Sequence, residues 1–160
     1  MTVIEDLKKI HVLQNMSESF LEQLIPHIET HNFNERDVIY EEGQKADRFF
    51  MLKRGKVLLE VEVSELIIIS LGSVKTGYSF GWSALIPDAT YTTYAICSEP
   101  CEVLWISGRE FIDILNRENN QAYIFMYNAF KILKGKLKRR TDQFLKVMSK
   151  HPDIQKLLGL

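Results

Sequence analysis

Cysteine is almost absent. Cys97 and Cys101 are the only two in 160 residues, which excludes a disulfide framework. They flank Ser98-Glu99-Pro100, a turn between strands, and read as small core residues rather than a redox pair. Long hydrophobic runs are missing too: none approaches the roughly 20 apolar residues that span a bilayer. The opening Met1-Thr-Val-Ile-Glu-Asp-Leu-Lys-Lys9 carries charges where a signal peptide is apolar, so a cytoplasmic protein is expected. Histidine is sparse, and none lies between Asn32 and Ile106. His27 and His31 have helical metal-ligand spacing, but Pro26 and a strand start near Asn32 break the shared face, so no metal is expected. The chain has no G-x-S-x-G elbow, no H-x-E and no P-loop, so no enzyme activity and no cofactor are expected.

What is present is a single domain of ordinary composition, 46% hydrophobic and 26% charged. Helical spacing of Phe20, Leu21, Leu24 and Ile25 after Ser17 predicts a helix over 17–25, preceded by another over 3–13. From Asn32 to Ile106, short runs rich in Val, Ile, Phe and Tyr are punctuated by Gly43, Gly55, Gly72, Gly77 and Gly81. That pattern predicts an antiparallel sandwich, with strands near 37–41, 47–53, 56–63, 66–71, 78–81, 91–97 and 101–107. Lys53-Arg54-Gly55-Lys56 reads as a hairpin, and Leu66–Leu71 as a strand covered on both faces. Phe111, Ile112 and Leu115 suit a short helix, and a long one is predicted from about Asn119 to Ser149, ended by His151-Pro152. The fold class is α+β. Residues 1–30 form helices, 31–107 the sandwich, 108–150 the C-terminal helices and 151–160 a tail.

The most informative stretch is Gly77-Tyr-Ser-Phe-Gly-Trp-Ser-Ala-Leu85, followed by Thr90-Tyr-Thr-Thr-Tyr94. Backbone near Gly81 can approach a phosphate closely, and a helical turn after it would aim further N–H groups at the same point. Yet no charged residue lies between Gly77 and Pro87. The stretch resembles the cassette of the cyclic-nucleotide-binding domain family, usually F-G-E-x-A-L followed by R-x-A. Phe80, Gly81, Ala84 and Leu85 match. Further likeness lies in Asp37-Val-Ile-Tyr-Glu-Glu-Gly43, Ala46-Asp-Arg-Phe-Phe-Met-Leu52 and Gly55-Lys-Val57, and covers roughly residues 10–148. The resemblance implies a β-jelly-roll. It also implies candidate ligand-binding positions at Phe80, Gly81, Trp82, Ser83, Ala84, Tyr91, Thr92 and Thr93. The family's ribose-binding Glu falls on Trp82, and its phosphate-binding Arg on Tyr91, or on Thr90 with the gap shifted. Ordinary cyclic AMP binding is therefore not expected. Trp82 either stacks on a ligand or plugs the sugar pocket.

Charge is uneven. Residues 131–150 carry eight Lys/Arg against Asp142 alone, which reads first as a solvated face or one paired with its own domain, and second as a surface for nucleic acid or an acidic partner. Phe130, Leu133, Leu137, Phe144 and Val147 recur at heptad-like steps interrupted by Arg140, which predicts a homodimer through this helix; the alternative packs the stripe on the jelly roll. Too few residues follow for a DNA-reading module, so DNA binding is not expected. Two functions stand open: a regulatory sensor of a nucleotide-like or other anionic small molecule, and a ligand-independent dimeric scaffold or protein-interaction subunit with a plugged pocket. A transcription-regulator relative without its DNA module is a third.

Overall fold

A computed structural model describes residues 2–159. The chain opens with α1 (Ile4–Lys8), a 3-10 turn (His11–Leu13), α2 (Glu18–Leu24) and a second 3-10 turn (Ile25–His27). Ser17 caps α2 by accepting a hydrogen bond from the Phe20 N–H at 3.2 Å, as its position before the apolar spacing predicts. Eight strands follow: β1 (Ile28–Phe33), β2 (Val38–Tyr40), β3 (Arg48–Arg54), β4 (Lys56–Ser64), β5 (Ile67–Lys75), β6 (Ser79–Phe80), β7 (Tyr94–Cys97) and β8 (Cys101–Ser107). They form two antiparallel four-stranded sheets, ordered β1-β8-β3-β6 and β2-β7-β4-β5. Then come α3 (Gly108–Asn116), α4 (Asn119–Ser149) and α5 (Pro152–Leu158). The β-jelly-roll and the long C-terminal helix are as expected.

Strand β3 explains the layering. Phe49, Phe50, Met51 and Leu52 are all buried, so both faces of β3 are covered. Phe50 points into the sandwich, stacked on Phe80 at 5.1 Å. Phe49 points the other way, into a cluster with Phe111 of α3 and Phe125 of α4. The sheet containing β3 is thus the middle layer, with the second sheet on one side and helices on the other. Asn128, buried, ties α4 to the N-terminal turn: its Nδ2 donates to the Val12 carbonyl at 3.0 Å and the Gln14 carbonyl at 2.7 Å.

Several expectations need correction. Lys53–Lys56 is not a hairpin, because β3 and β4 belong to different sheets; the turn carries the chain across the sandwich. Gly55 is required there: its φ is 103°, and a Cβ would sit 2.6 Å from the Pro100 carbonyl oxygen. Strand β1 begins at Ile28, inside the segment read as helical, and is polar enough to hide its period. Ile67, Ile68 and Ile69 are exposed, so β5 is an uncovered edge strand rather than a strand sandwiched on both faces. Residues 91–93 are loop: Tyr91 N–H donates to Gln44 and its carbonyl accepts from Gly43, which uses the backbone a strand would have paired. The expected tail contains α5, capped by His151.

Candidate functional site

Strand β6 ends at Phe80, and Gly81 turns the chain with φ 71° into a 3-10 turn, Trp82–Leu85. A Cβ at Gly81 would lie 2.7 Å from the Phe50 ring, so the cassette packs directly on β3. Phe80 and Ala84 are buried, Trp82 and Ser83 half-buried, Thr92 exposed and Thr93 buried.

Tyr91, where the sequence resemblance puts the family's arginine unless the gap shifts it to Thr90, is 4% exposed. Its ring stacks on Tyr40 at 3.8 Å. Its hydroxyl donates to the Arg48 carbonyl at 2.7 Å and accepts from the Arg48 N–H at 3.1 Å. Burial pushes the phenol up to about 12, against the opposing hydrogen bond to the Arg48 backbone. Burial likewise raises the Tyr40 hydroxyl, opposed by hydrogen bonds to the Thr93 side chain and the Gly81 backbone. The Tyr91 hydroxyl is therefore satisfied by the chain itself.

Trp82 faces the helical side of the sheet. It packs edge-on against Phe49 at 5.1 Å and beside Phe125 at 6.5 Å, with Nε1–H donating to the Ser79 carbonyl at 3.3 Å. Lys136 of α4 lies over the indole, 5.5 Å from its centroid. Trp82 thus joins the cassette to the long helix.

Open space lies next to the cassette. A cavity of about 380 Å³ separates β5 from α4, lined by Val74, Lys75, Tyr78, Ser79, Lys136 and Arg140 among others. A second, of about 490 Å³, continues along α4 and shares Tyr78, Lys136 and Arg139 with the first. None of the eight candidate cassette positions lines either one. The basic residues there were read from sequence as a solvated face, since nothing in the charge run told which of them turn inward. Burial first, then Arg139 and Arg140, lower the Lys136 ammonium to about 8.

The remaining marked residues are placed apart. His27 faces Glu110 at 3.5 Å, whereas His31 stacks on Trp105 at 3.6 Å. Cys97 and Cys101 are buried and unbridged, and burial foremost raises the Cys97 thiol to about 12, which disfavours a reactive thiolate. Phe130, Leu133, Leu137, Phe144 and Val147 are 46% to 70% exposed, so the stripe does not pack back on the jelly roll. No helix among the described residues is long and apolar enough to cross a membrane.

A family model described as the cyclic nucleotide-binding domain matches residues 30–118. Among solved structures, the chain is similar to one described as a cyclic nucleotide-binding protein from Geobacter metallireducens GS-15. The two are 25% identical, the match covers 86% of this chain and 99% of that one, and the TM-score is 0.74. A cyclic nucleotide-binding domain from Methylobacillus flagellatus KT is 15% identical over 90% of this chain and 81% of that one, with TM-score 0.76. The regulatory domain of Toxoplasma gondii PKA, solved with cAMP, is 18% identical over 82% of this chain and 48% of that one, with TM-score 0.69. At those lower identities the likeness is one of fold. With more than half its length matched by the family model, and with the jelly roll, cassette turn and C-terminal helix described above, the chain belongs to the cyclic nucleotide-binding domain family, whose role is chiefly regulatory.

Proposed function

We propose that the chain is a non-enzymatic regulatory domain whose cassette is closed to cyclic AMP and whose output is carried by α4 in a homodimer. The observation that carries the reading is Tyr91. The position that would supply a guanidinium to a cyclic phosphate holds a neutral phenol, stacked on Tyr40 and hydrogen-bonded to Arg48 backbone. No carboxylate replaces the ribose-binding Glu, because Trp82 is there and faces the helices. Hydrogen bonds to charged groups are worth about 1.5–3 kcal/mol each. Losing both costs roughly 3–6 kcal/mol, or two to four decades of affinity.

The exposed stripe on α4 supports the dimer, since a two-fold pair of such helices would bury it. Arg140, which interrupts the stripe, lines the cavity beside β5, which relieves its conflict with an apolar seam. Two unbridged thiols fit a cytoplasmic location. A ligand-independent scaffold is the second reading, favoured by the packed tyrosines at the cassette. Calorimetry with millimolar cyclic AMP and cyclic GMP tests the closed cassette, and a sub-micromolar dissociation constant for either overturns it. Light scattering tests the dimer: Leu133→Asp with Leu137→Asp gives a folded monomer, and a wild type already monomeric at tens of micromolar refutes it.

A further inference from the structure

The inward face of α4 changes character along its length. At 3.6 residues per turn, Phe125, Ala129, Ile132, Lys136, Arg139 and Gln143 share one side of the helix. Phe125 and Ala129 are buried against the jelly roll and Ile132 is half-buried. From Lys136 onward the same side presents cations; the first cavity lies between it and β4 and β5 of the sandwich, and the second lies between α4 and the N-terminal turn at His11 and Gln14. Five cations line them: Lys75, Lys131, Lys136, Arg139 and Arg140. No Asp or Glu lines either cavity, and none of the five is in an ion pair among the described residues. Gathering like charges without a counter-charge is unfavourable to the empty domain, and one of the five, Lys136, is partly buried.

A second observation comes from the sandwich side. Ser79 lines the first cavity and is 2% exposed. Its Oγ is the one buried side-chain polar atom with no hydrogen-bond partner among the described residues. Buried hydroxyls are normally satisfied, so an orphan on a residue that lines a cationic cavity is free to donate to an acceptor bound there.

We propose that this groove is a binding site for a phosphate-bearing small molecule with two or more negative charges, held by Lys136, Arg139 and Arg140 of α4 and by Ser79 of β6. A cyclic monophosphate carries a single charge and leaves most of the cations unanswered. An oligophosphate spreads its charge along a groove whose cations are themselves spread from Lys75 and Arg140 at one end to Lys131 at the other. The combined space is of the size small-molecule sites occupy. Recognition runs from the helix rather than from the cassette. The proposal goes beyond the closed-cassette reading and does not require it.

The test is isothermal calorimetry on the full chain at low ionic strength, with magnesium-free ATP and inorganic pyrophosphate as probes and cyclic AMP as the monoanionic comparison. ATP and pyrophosphate are expected to bind at least tenfold more tightly than cyclic AMP. The inward pair Lys136→Gln with Arg139→Gln is expected to weaken ATP at least tenfold, and Ser79→Ala severalfold. The outward pair Lys134→Gln with Lys138→Gln removes the same charge from the exposed face and is expected to change affinity less than twofold. Equal losses in the two pairs mean non-specific attraction to a basic helix, as for a nucleic acid, and overturn the site; so does absence of binding by both polyanions. Thermal denaturation of each variant confirms folding, and Ser79→Ala keeps the test decisive where the inward pair fails to fold. Tight cyclic AMP binding that survives the inward pair refutes the closed cassette and leaves the groove to be judged on the polyanions alone.

Discussion

Tyr91→Phe isolates the chemistry of the buried phenol beside the cassette. The change keeps the ring stacked on Tyr40 at 3.8 Å and removes one oxygen. That oxygen makes two hydrogen bonds, to the Arg48 carbonyl at 2.7 Å and from the Arg48 N–H at 3.1 Å. Each is worth about 0.5–1.5 kcal/mol net, and more where the abandoned backbone group is left without water. The expected loss is roughly 1.5–3 kcal/mol, a fall of about 4–10 °C in Tm for a domain of this size. Urea denaturation followed by far-UV circular dichroism measures it. The pH dependence carries an independent sign. The folded phenol, pushed up to about 12, lies above its ordinary value of 10. The stability it contributes is whole below pH 10 and is lost as pH rises through 10 to 12. The gap between wild type and Tyr91→Phe must therefore narrow over that window. A loss under about 0.5 kcal/mol, or a gap that widens above pH 10, refutes the reasoning.

Three further changes probe the supports around the cassette. Asn128→Ala removes both hydrogen bonds that moor α4 to Val12 and Gln14, and is expected to cost about 1–3 kcal/mol in urea denaturation and to raise hydrogen exchange at the start of α4. Gly81→Ala places a Cβ 2.7 Å from Phe50 at a φ of 71°, so a loss of more than about 1 kcal/mol is expected; a neutral result shows that β3 yields there. Lys136→Met is expected to stabilise the empty domain at pH 7 by roughly 1–3 kcal/mol, because a pKa lowered to about 8 from 10.5 penalises the folded state. That penalty is full below pH 8 and fades as pH rises to 10.5, so the gain must fade over the same window.

Much of the fold was legible because its signals are local. The Ser17 cap precedes helical spacing, β8 spans 101–107 as read, and the long helix runs over Asn119–Ser149. What stayed hidden depends on partners distant in sequence. Strand β1, Ile-Glu-Thr-His-Asn-Phe, earns its pairing from β8 and not from its own alternation. The Ile67–Ile69 run looks covered, because apolar runs in strands usually are, but all three side chains are exposed and, among the described residues, β5 is the sheet's edge. The cassette's glycine turn could be read directly, whereas the use of Tyr91 could not: nothing near residue 91 announces a bond to Arg48, forty-three positions earlier. Lys136 differs from Lys138 only in helical phase, and phase matters only once it is known which side of α4 meets the sandwich.

That phase gives the helix its two faces. Phe130, Leu133, Leu137 and Phe144 lie about a third of a turn around the helix from Ile132, Lys136, Arg139 and Gln143. One side is apolar and exposed, suited to a second copy; the other is cationic and turned to the groove. Lys136 also sits over Trp82, which packs on Phe49 and Phe125, so the groove, the cassette turn and the anchored start of α4 share one set of contacts. An anion drawn to Lys136 and Arg139 acts on the same helix that would form the dimer seam, with no intervening loop. If both readings hold, the two equilibria are linked, and linkage is reciprocal: a polyanion that tightens the dimer must bind more tightly to the dimer by the same factor. Sedimentation at several protein concentrations, with and without millimolar pyrophosphate, measures the first factor, and calorimetry above and below the dimer midpoint measures the second. A factor of one in both measurements separates the groove from the seam.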